Sequence, residues 1–378
     1  MARNNPFSPT FGTSPPMLAG RDDILESLDE AFETGTTHPD YTVLLIGVRG
    51  TGKTAILNAA EDMVRQRGWL VIAEQGSPSG LIDRVRDQAA RLLAALDQEP
   101  SRRVSGVHAA GVGIAFEQRY EQHAPQDLRS TLADLGDRLA RVGTGLLITI
   151  DELHGADMNE VREFGGVLQH VTRREGRPIA FAGAALPYLE DDLLKGQLAT
   201  FLQRCSRYDT GLLDSAATRS ALELPITHSS ATIDARALAR AVEAANGYPF
   251  MVQLVGFYTW KAAGDPAAGI DDTAVTVGIE RAESRIGRLV LAPTWNELSD
   301  TDRRFVFAMT DDVDPSELAV VAQRMGVAVN YAHVYRRRLE RAGLITVTAS
   351  NTISFAYPTA RAWVLARREA LDTNGANS

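Results

Sequence analysis

Cysteine is almost missing from this chain: Cys205 is the single one in 378 residues. An internal disulfide framework is thereby excluded, and a reducing compartment is expected. Long apolar runs are missing too. None approaches the roughly 18 residues of a membrane span, and the first residues carry no signal-peptide stretch, so a cytoplasmic location without a membrane partner is expected. Positive charge is short. A net charge of −9 keeps the chain soluble and excludes a globally basic coat for nucleic acid, so any DNA contact must come from a local patch. Arginine far outnumbers lysine, a bias of composition. There is no internal repeat, and no low-complexity tract beyond the polar tail at 373–378.

What is present is one highly informative stretch. Gly47-Val48-Arg49-Gly50-Thr51-Gly52-Lys53-Thr54 matches G-x-x-x-x-G-K-[ST] in full. The apolar run Tyr41-Thr42-Val43-Leu44-Leu45-Ile46 precedes it, and a helical pattern opens at Lys53 and runs on through Ala55 and Ile56. A strand, a glycine turn and a helix N-terminus make an anion cradle, in which unpaired backbone N–H groups and the positive end of the helix dipole face phosphate oxygens. Glycine permits close backbone approach; Lys53 reaches the β- and γ-phosphates, and the Thr54 hydroxyl ligates Mg²⁺. The expected cofactors are ATP and Mg²⁺.

The length allows two or three domains with a substantial core. Residues 1–18 read as an extended leader, and Arg21 to Thr34 as an amphipathic helix. Strands at 69–73, 145–150 and 179–183 alternate with helices at 79–96, 125–142, 159–172 and 189–204. That alternation calls for an α/β fold, a parallel sheet covered on both faces. Residues 103–117 suggest an inserted β-hairpin. From Ser215 the strands stop, and helical stretches at 215–222, 233–246, 249–263 and 271–290 suggest a small all-helical lid. The expected divisions are a leader at 1–18, a P-loop core at 19–212, a lid at 213–293, a C-terminal module at 294–368 and a tail at 369–378.

The strand at 145–150 is closed by Asp151 and Glu152. Successive strand residues point in opposite directions, so the two acids can serve different tasks: Asp151 holds the metal and Glu152 is the general base that polarises the attacking water. His154 lies beside them and reads as an ordinary loop histidine. Positive charge on the developing phosphoryl oxygens is often an arginine supplied in trans. Arg204 and Arg207, around Cys205 at the end of the helix after the fourth strand, are the candidates.

Residues 298–365 read as a winged helix-turn-helix. The expected helices are Ser299–Met309, Pro315–Met325 and a third to Ala342, capped by Asn330 and stopped by Gly343. Tyr331, Val334, Tyr335, Leu339 and Ala342 are the expected buried stripe, which puts His333, Arg336, Arg337 and Arg341 on the outer face. Residues 344–348 and 353–357 form the wing. In such modules the third helix enters the major groove of duplex DNA and arginine reads guanine or pairs with phosphate. A winged helix used for protein contact is the alternative.

The order of motifs, from Gly20-Arg21-Asp22 through GVRGTGKT and LLITIDE to Gly247-Tyr248-Pro249, resembles the AAA+ and STAND-like P-loop ATPases. Within them it is similar to the archaeal-type ATPases and origin-recognition initiators that end in a winged helix. The resemblance implies that Arg21 lines the adenine and ribose side, that Pro249 meets the nucleotide from the lid, and that Arg204 is the arginine finger with Arg207 as fallback. Two departures matter. Phe250 stands where many AAA+ lids carry an arginine, and Ala182-Gly183-Ala184 replaces a polar residue that orients water. Both imply slow hydrolysis, more switch than motor. The leading expectation is an ATPase whose nucleotide state controls homo-oligomerisation and DNA association; a STAND-like signalling switch and a loader subunit acting on a protein partner are the alternatives.

Overall fold

Val43, Leu44 and Leu45 are all fully buried although their side chains alternate in direction, which requires cover on both sides of their strand. A computed structural model describes residues 4–10, 12, 14–15, 17–98, 127–189, 200–349 and 351–376. In it β1 (Thr42–Ile46), β2 (Leu70–Gln75), β3 (Leu146–Asp151), β4 (Ile179–Ala185) and β5 (Ser206–Asp209) form one parallel sheet in the order β2-β3-β4-β1-β5. Leu44, Ile46, Ile148 and Ile150 pack on one side with Leu132, Leu135 and Phe164. Val43, Leu45 and Leu147 pack on the other with Leu28, Phe32, Ile56 and Leu57. The helices carrying these residues are α1 (Asp22–Thr34), α2 (Lys53–Gln66), α4 (Leu128–Val142) and α5 (Met158–Leu168), with α3 (Leu81–Gln98) beside α4.

Strand β5 is not signalled by the sequence pattern. It is short and polar, and its partner across the sheet is β1, so no apolar alternation marks it. It moves Arg207 from an expected helix end onto an edge strand, leaving Arg204 beside the short α6 (Thr200–Gln203). The hairpin expected at 103–117 lies outside the described residues, as does 190–199 of the helix expected at 189–204.

Beyond β5 come α7 (Ser215–His228), α8 (Ala235–Ala245), α9 (Pro249–Ala263) and α10 (Asp272–Ile286). Gly278 lets α10 cross α9 closely, since a Cβ there would fall 2.1 Å from Thr259 Oγ1. The N-terminal residues belong to this layer. Phe7 is 3% exposed and lies on Gly256 of α9; Asn5 Nδ2 donates to Phe257 O at 3.0 Å, and Ser8 N to Gln253 Oε1 at 3.1 Å. The expected extended leader is therefore a packed strap.

The C-terminal part contains α11 (Ala292–Glu297), α12 (Asp300–Met309), β6 (Ser316–Glu317), α13 (Leu318–Met325), α14 (Val329–Arg341), β7 (Ile345–Ala349), β8 (Thr352–Phe355) and α15 (Ala360–Ala376). The three strands form a sheet in the order β6-β8-β7. The helix expected from Pro315 begins at Leu318, because Ser316 and Glu317 pair with Ile353 and Thr352. Ala328, not Asn330, is the N-cap of α14, and the Asn330 side chain accepts from Tyr331 N instead. The stripe expected on α14 holds in part: Leu339 is buried and Tyr335 and Ala342 pack against the core, but Tyr331 and Val334 are 61% and 42% exposed, and Ala332, Arg336 and Glu340 are buried in addition. Arg336 is thus not on the outer face. Among the described residues no helix is long and apolar enough to cross a membrane.

Candidate nucleotide site

Strand β1 ends at Ile46 and the chain turns at once, with Gly47 N donating to Ala185 O at the end of β4. Gly47 is required by crowding: a Cβ there would lie 2.3 Å from Thr210 Oγ1. Gly50 and Gly52 have φ of 79° and 94°, the left-handed region that glycine enters without strain. Gly52 is the N-cap of α2, and no side chain caps that helix. Its first amides therefore face the cradle.

The polar side chains of the loop are bound to protein. Thr51 Oγ1 donates to Val48 O at 2.9 Å and meets Thr210 Oγ1 at 3.0 Å. The Arg21 guanidinium donates to Thr51 O, Thr210 O and Gly211 O, a buckle under the loop; burial holds its pKa below the ordinary arginine value. Lys53 Nζ donates to Gly47 O at 2.7 Å and Val48 O at 2.8 Å. Burial pushes that ammonium down to about 8, against the raising charges of Glu152 and Asp151.

Because β3 runs parallel to β1 with β4 between them, Asp151 ends on the same edge as the P-loop. Thr54 Oγ1 donates to Asp151 Oδ2 at 2.6 Å. Among the described residues no three His, Cys, Asp or Glu side chains cluster for a metal. Two hard oxygens fit the smaller demand of Mg²⁺, which keeps waters and takes its remaining ligands from phosphates. Glu152 does not continue the strand: at φ 51° it leaves in the left-handed region, so the two acids diverge by a backbone turn rather than by strand alternation. Gly76, at the end of β2, makes room for this turn, since a Cβ there would fall 2.2 Å from Glu152 O.

His154 is more than a loop residue. Its Nε2 stands 3.0 Å from Glu152 Oε2, and its Nδ1 accepts from Leu186 N at 3.4 Å. That hydrogen bond to Glu152 holds its carboxyl below the usual glutamate range, with help from Arg49 and Lys53 and against burial.

The lid closes the site from the other side. Tyr248 Oη donates to Arg49 O at 2.8 Å, and Phe250 N to Gly50 O at 3.1 Å. The cavity between lid and P-loop has a volume of about 530 Å³ and is lined by Arg21, Arg49, Gly50 to Ala55, Asp151, Glu152 and Pro249, a size suited to a small ligand or cofactor. Val48 lies behind it in the lid's apolar cluster. Among the lining residues that sequence reasoning missed are Gln75, Gln253 and those of the leader, whose Ser8, Thr10 and Met17 line one wall. Arg204 and Arg207 do not line it; Arg204 is exposed.

The C-terminal part meets the site as well. The Tyr357 ring packs tilted against Tyr248, with centroids 5.6 Å apart, and burial pushes its hydroxyl up to about 12. A Cβ on Gly343 would stand 4.0 Å from Arg49 Nη1. Arg341 lies over the Tyr188 ring at 6.0 Å. Of the four residues expected to face DNA, Arg337 and Arg341 are exposed, the latter beside the Tyr188 ring, His333 is partly buried, and Arg336 is buried.

A parallel sheet of this order, with a P-loop on one strand and a strand-end acid pair two strands away, is the fold of the P-loop ATPases. Residues 17–182 match the family model of the AAA ATPase domain. Residues 288–364 match a domain of unknown function (DUF8462). No curated protein matches the chain. Among solved structures it is similar to the Walker-type ATPase paby2304 of Pyrococcus abyssi, at 14% identity and a TM-score of 0.66, over 93% of this chain and 97% of that one. It is also similar to the Aeropyrum pernix ORC2 protein, solved as ADPNP-ADP complexes, at 13% identity and a TM-score of 0.60, over 97% and 98%. The fold is therefore shared across nearly the whole length.

Proposed function

We propose that the protein binds ATP with Mg²⁺, hydrolyses it slowly, and uses the bound nucleotide to set the position of its C-terminal module. One arrangement carries this reading: Lys53, Thr54, Asp151 and Glu152 converge on a cavity whose far wall is the lid, and Tyr248 of that lid, bonded to Arg49 O, packs on Tyr357 of the C-terminal part. Backbone amides of 50–54 and Lys53 hold the phosphates, with Thr54 and Asp151 holding Mg²⁺. When bound, the metal neutralises charge on the β- and γ-oxygens. Water attacks the γ-phosphorus, its proton passes to Glu152, and the bond to the bridging oxygen breaks with the electron pair leaving on ADP. The hydrogen bond from His154 holds the Glu152 carboxyl below the usual glutamate range, the direction a base needs. Two features support a slow rate. Strand β4 ends in Ala184-Ala185 with no polar group to orient water, and the lid contributes Phe250 through its backbone rather than an arginine. Arg204 is exposed and away from this chain's own cavity, consistent with a finger offered to a second copy on ATP-driven assembly.

The order helix, strand, two helices and hairpin supports a winged helix-turn-helix, with Arg337 and His333 of α14 as contacts to duplex DNA. A second reading, a protein partner, is favoured by the exposed apolar residues Val329, Tyr331 and Val334 on the same helix. Sizing of the protein with ATP, ADP or no nucleotide, each with and without duplex DNA, separates these outputs. Glu152→Gln tests the chemistry: turnover is expected to fall by about 10²–10⁴-fold while ATP affinity holds. Turnover at the parent rate rejects the base.

A further inference from the structure

We propose that the C-terminal module controls the catalytic carboxylate through three residues, Arg341, Tyr188 and His154, which restrain Glu152 while the module is docked. The proposal rests on the ATPase reading and is independent of what the module binds.

The contacts form one unbroken line. Glu152 Oε2 and His154 Nε2 are 3.0 Å apart. Leu186 N donates to His154 Nδ1, so that nitrogen is the acceptor and the ring proton is on Nε2, where it is donated to Glu152. The His154 side chain is 7% exposed and meets the Tyr188 ring edge-on, with centroids 5.8 Å apart and planes at 80°. The Arg341 guanidinium stands 6.0 Å from the Tyr188 centroid, within cation–π range. Arg341 is the last residue of α14, and Gly343 just beyond it lies beside Arg49 of the P-loop. The end of the helix is thereby linked to the base through Tyr188 and His154.

The chemistry gives the direction. Glu152 Oε2 is engaged by the imidazole N–H, and the attacking water must compete for that oxygen. Undocking lifts the cation from Tyr188, loosens the ring that His154 packs on, and leaves Glu152 to the water. His154 and Tyr188 are positioning residues: neither lines the nucleotide cavity.

Steady-state hydrolysis and ATP affinity of the full chain test this. Arg341→Ala, Tyr188→Leu and His154→Ala are each expected to raise kcat, roughly tenfold for His154→Ala, on the scale of one charge-assisted hydrogen bond. ATP affinity should stay within about twofold, since no contact to phosphate is removed. His154→Gln, which retains a donor, and Arg341→Lys, which retains a cation, should give smaller rises. Misfolding lowers turnover, so it cannot imitate a gain. If the parent hydrolyses ATP and all three variants turn over at or below its rate, the relay is wrong and the ATPase reading stands. A gain that grows with protein concentration also overturns it, because it would reflect assembly. If parent and variants bind ATP but none hydrolyses it, the ATPase reading itself falls.

Discussion

The P-loop and helix α14 handle their polar groups in opposite ways. At the P-loop the side chains of Thr51, Lys53 and Arg21 are turned onto the protein's own carbonyls, and main-chain amides face the cavity. On α14 the backbone is satisfied within the helix, and what reaches solvent is side chain: Tyr331, Val334, Arg337. A site built from backbone in a crowded turn has one geometry and little tolerance. A site built from exposed side chains is tunable, each residue contributing in proportion to its own contact. Substitutions should therefore act as near all-or-none at the first and by increments at the second.

The largest effect is expected from Lys53→Ala. It removes the one lysine that bridges the loop carbonyls and faces both acids, so hydrolysis should drop by about 10²–10³-fold or more, with ATP affinity weakened in calorimetry. Retained affinity and rate would mean that the cradle is not the site and that the contrast with α14 is false.

A smaller effect is expected where the leader meets the lid. Phe7 fills the space above Gly256, and Phe→Ala at a buried position costs about 3–5 kcal/mol. The lower end applies to Phe7→Ala, because a chain terminus can detach rather than leave a cavity. The expected result is a lowered Tm and weaker nucleotide binding together, since the same segment lines the cavity and is tied to α2 by Asn58. A lowered Tm with unchanged affinity would detach the leader from the site.

These contrasts explain what the sequence makes legible. The P-loop, Asp151 and the alternating strands can be read because their requirements are local: glycine for φ, a hydroxyl after lysine, apolar residues for a strand covered twice. Three other features depend on contacts made over long distances. Strand β5 exists because Tyr208 anchors it to Asp40 and Ser27 beside β1, which no polar tetrapeptide announces. The buried face of α14 departs from its expected stripe at Tyr331 and Val334 because Tyr, Val and Arg occur all around the helix, and packing against β7 and α12 adds Ala332 and Arg336 instead. The contact of His154 with Glu152 depends on Glu152 turning out of its strand, which local patterning does not encode.

Tyr248→Phe should have a modest effect. It deletes one hydrogen bond to Arg49 O while leaving the ring on Tyr357, about 1 kcal/mol. ATP affinity should weaken by less than about tenfold, measured by titration, with lid packing intact. A loss as deep as that of Lys53→Ala would show that the lid, and not the loop, sets the geometry.

The mildest substitution sharpens the comparison most. Arg336 and Arg337 are adjacent, of one chemistry, and opposite in burial. Arg337→Ala should leave Tm unchanged and, if α14 meets duplex DNA, flatten the salt dependence of binding by about 0.9 in log–log slope, the share of a single phosphate pairing. Arg336→Ala should instead lower Tm, since its stem packs inside the module, and leave that slope alone apart from loss of folded protein. Thermal melts and DNA titrations at several salt concentrations read both. If the two variants behave alike, α14 does not divide into a buried and an offered face, and its arginines act through the module's overall charge.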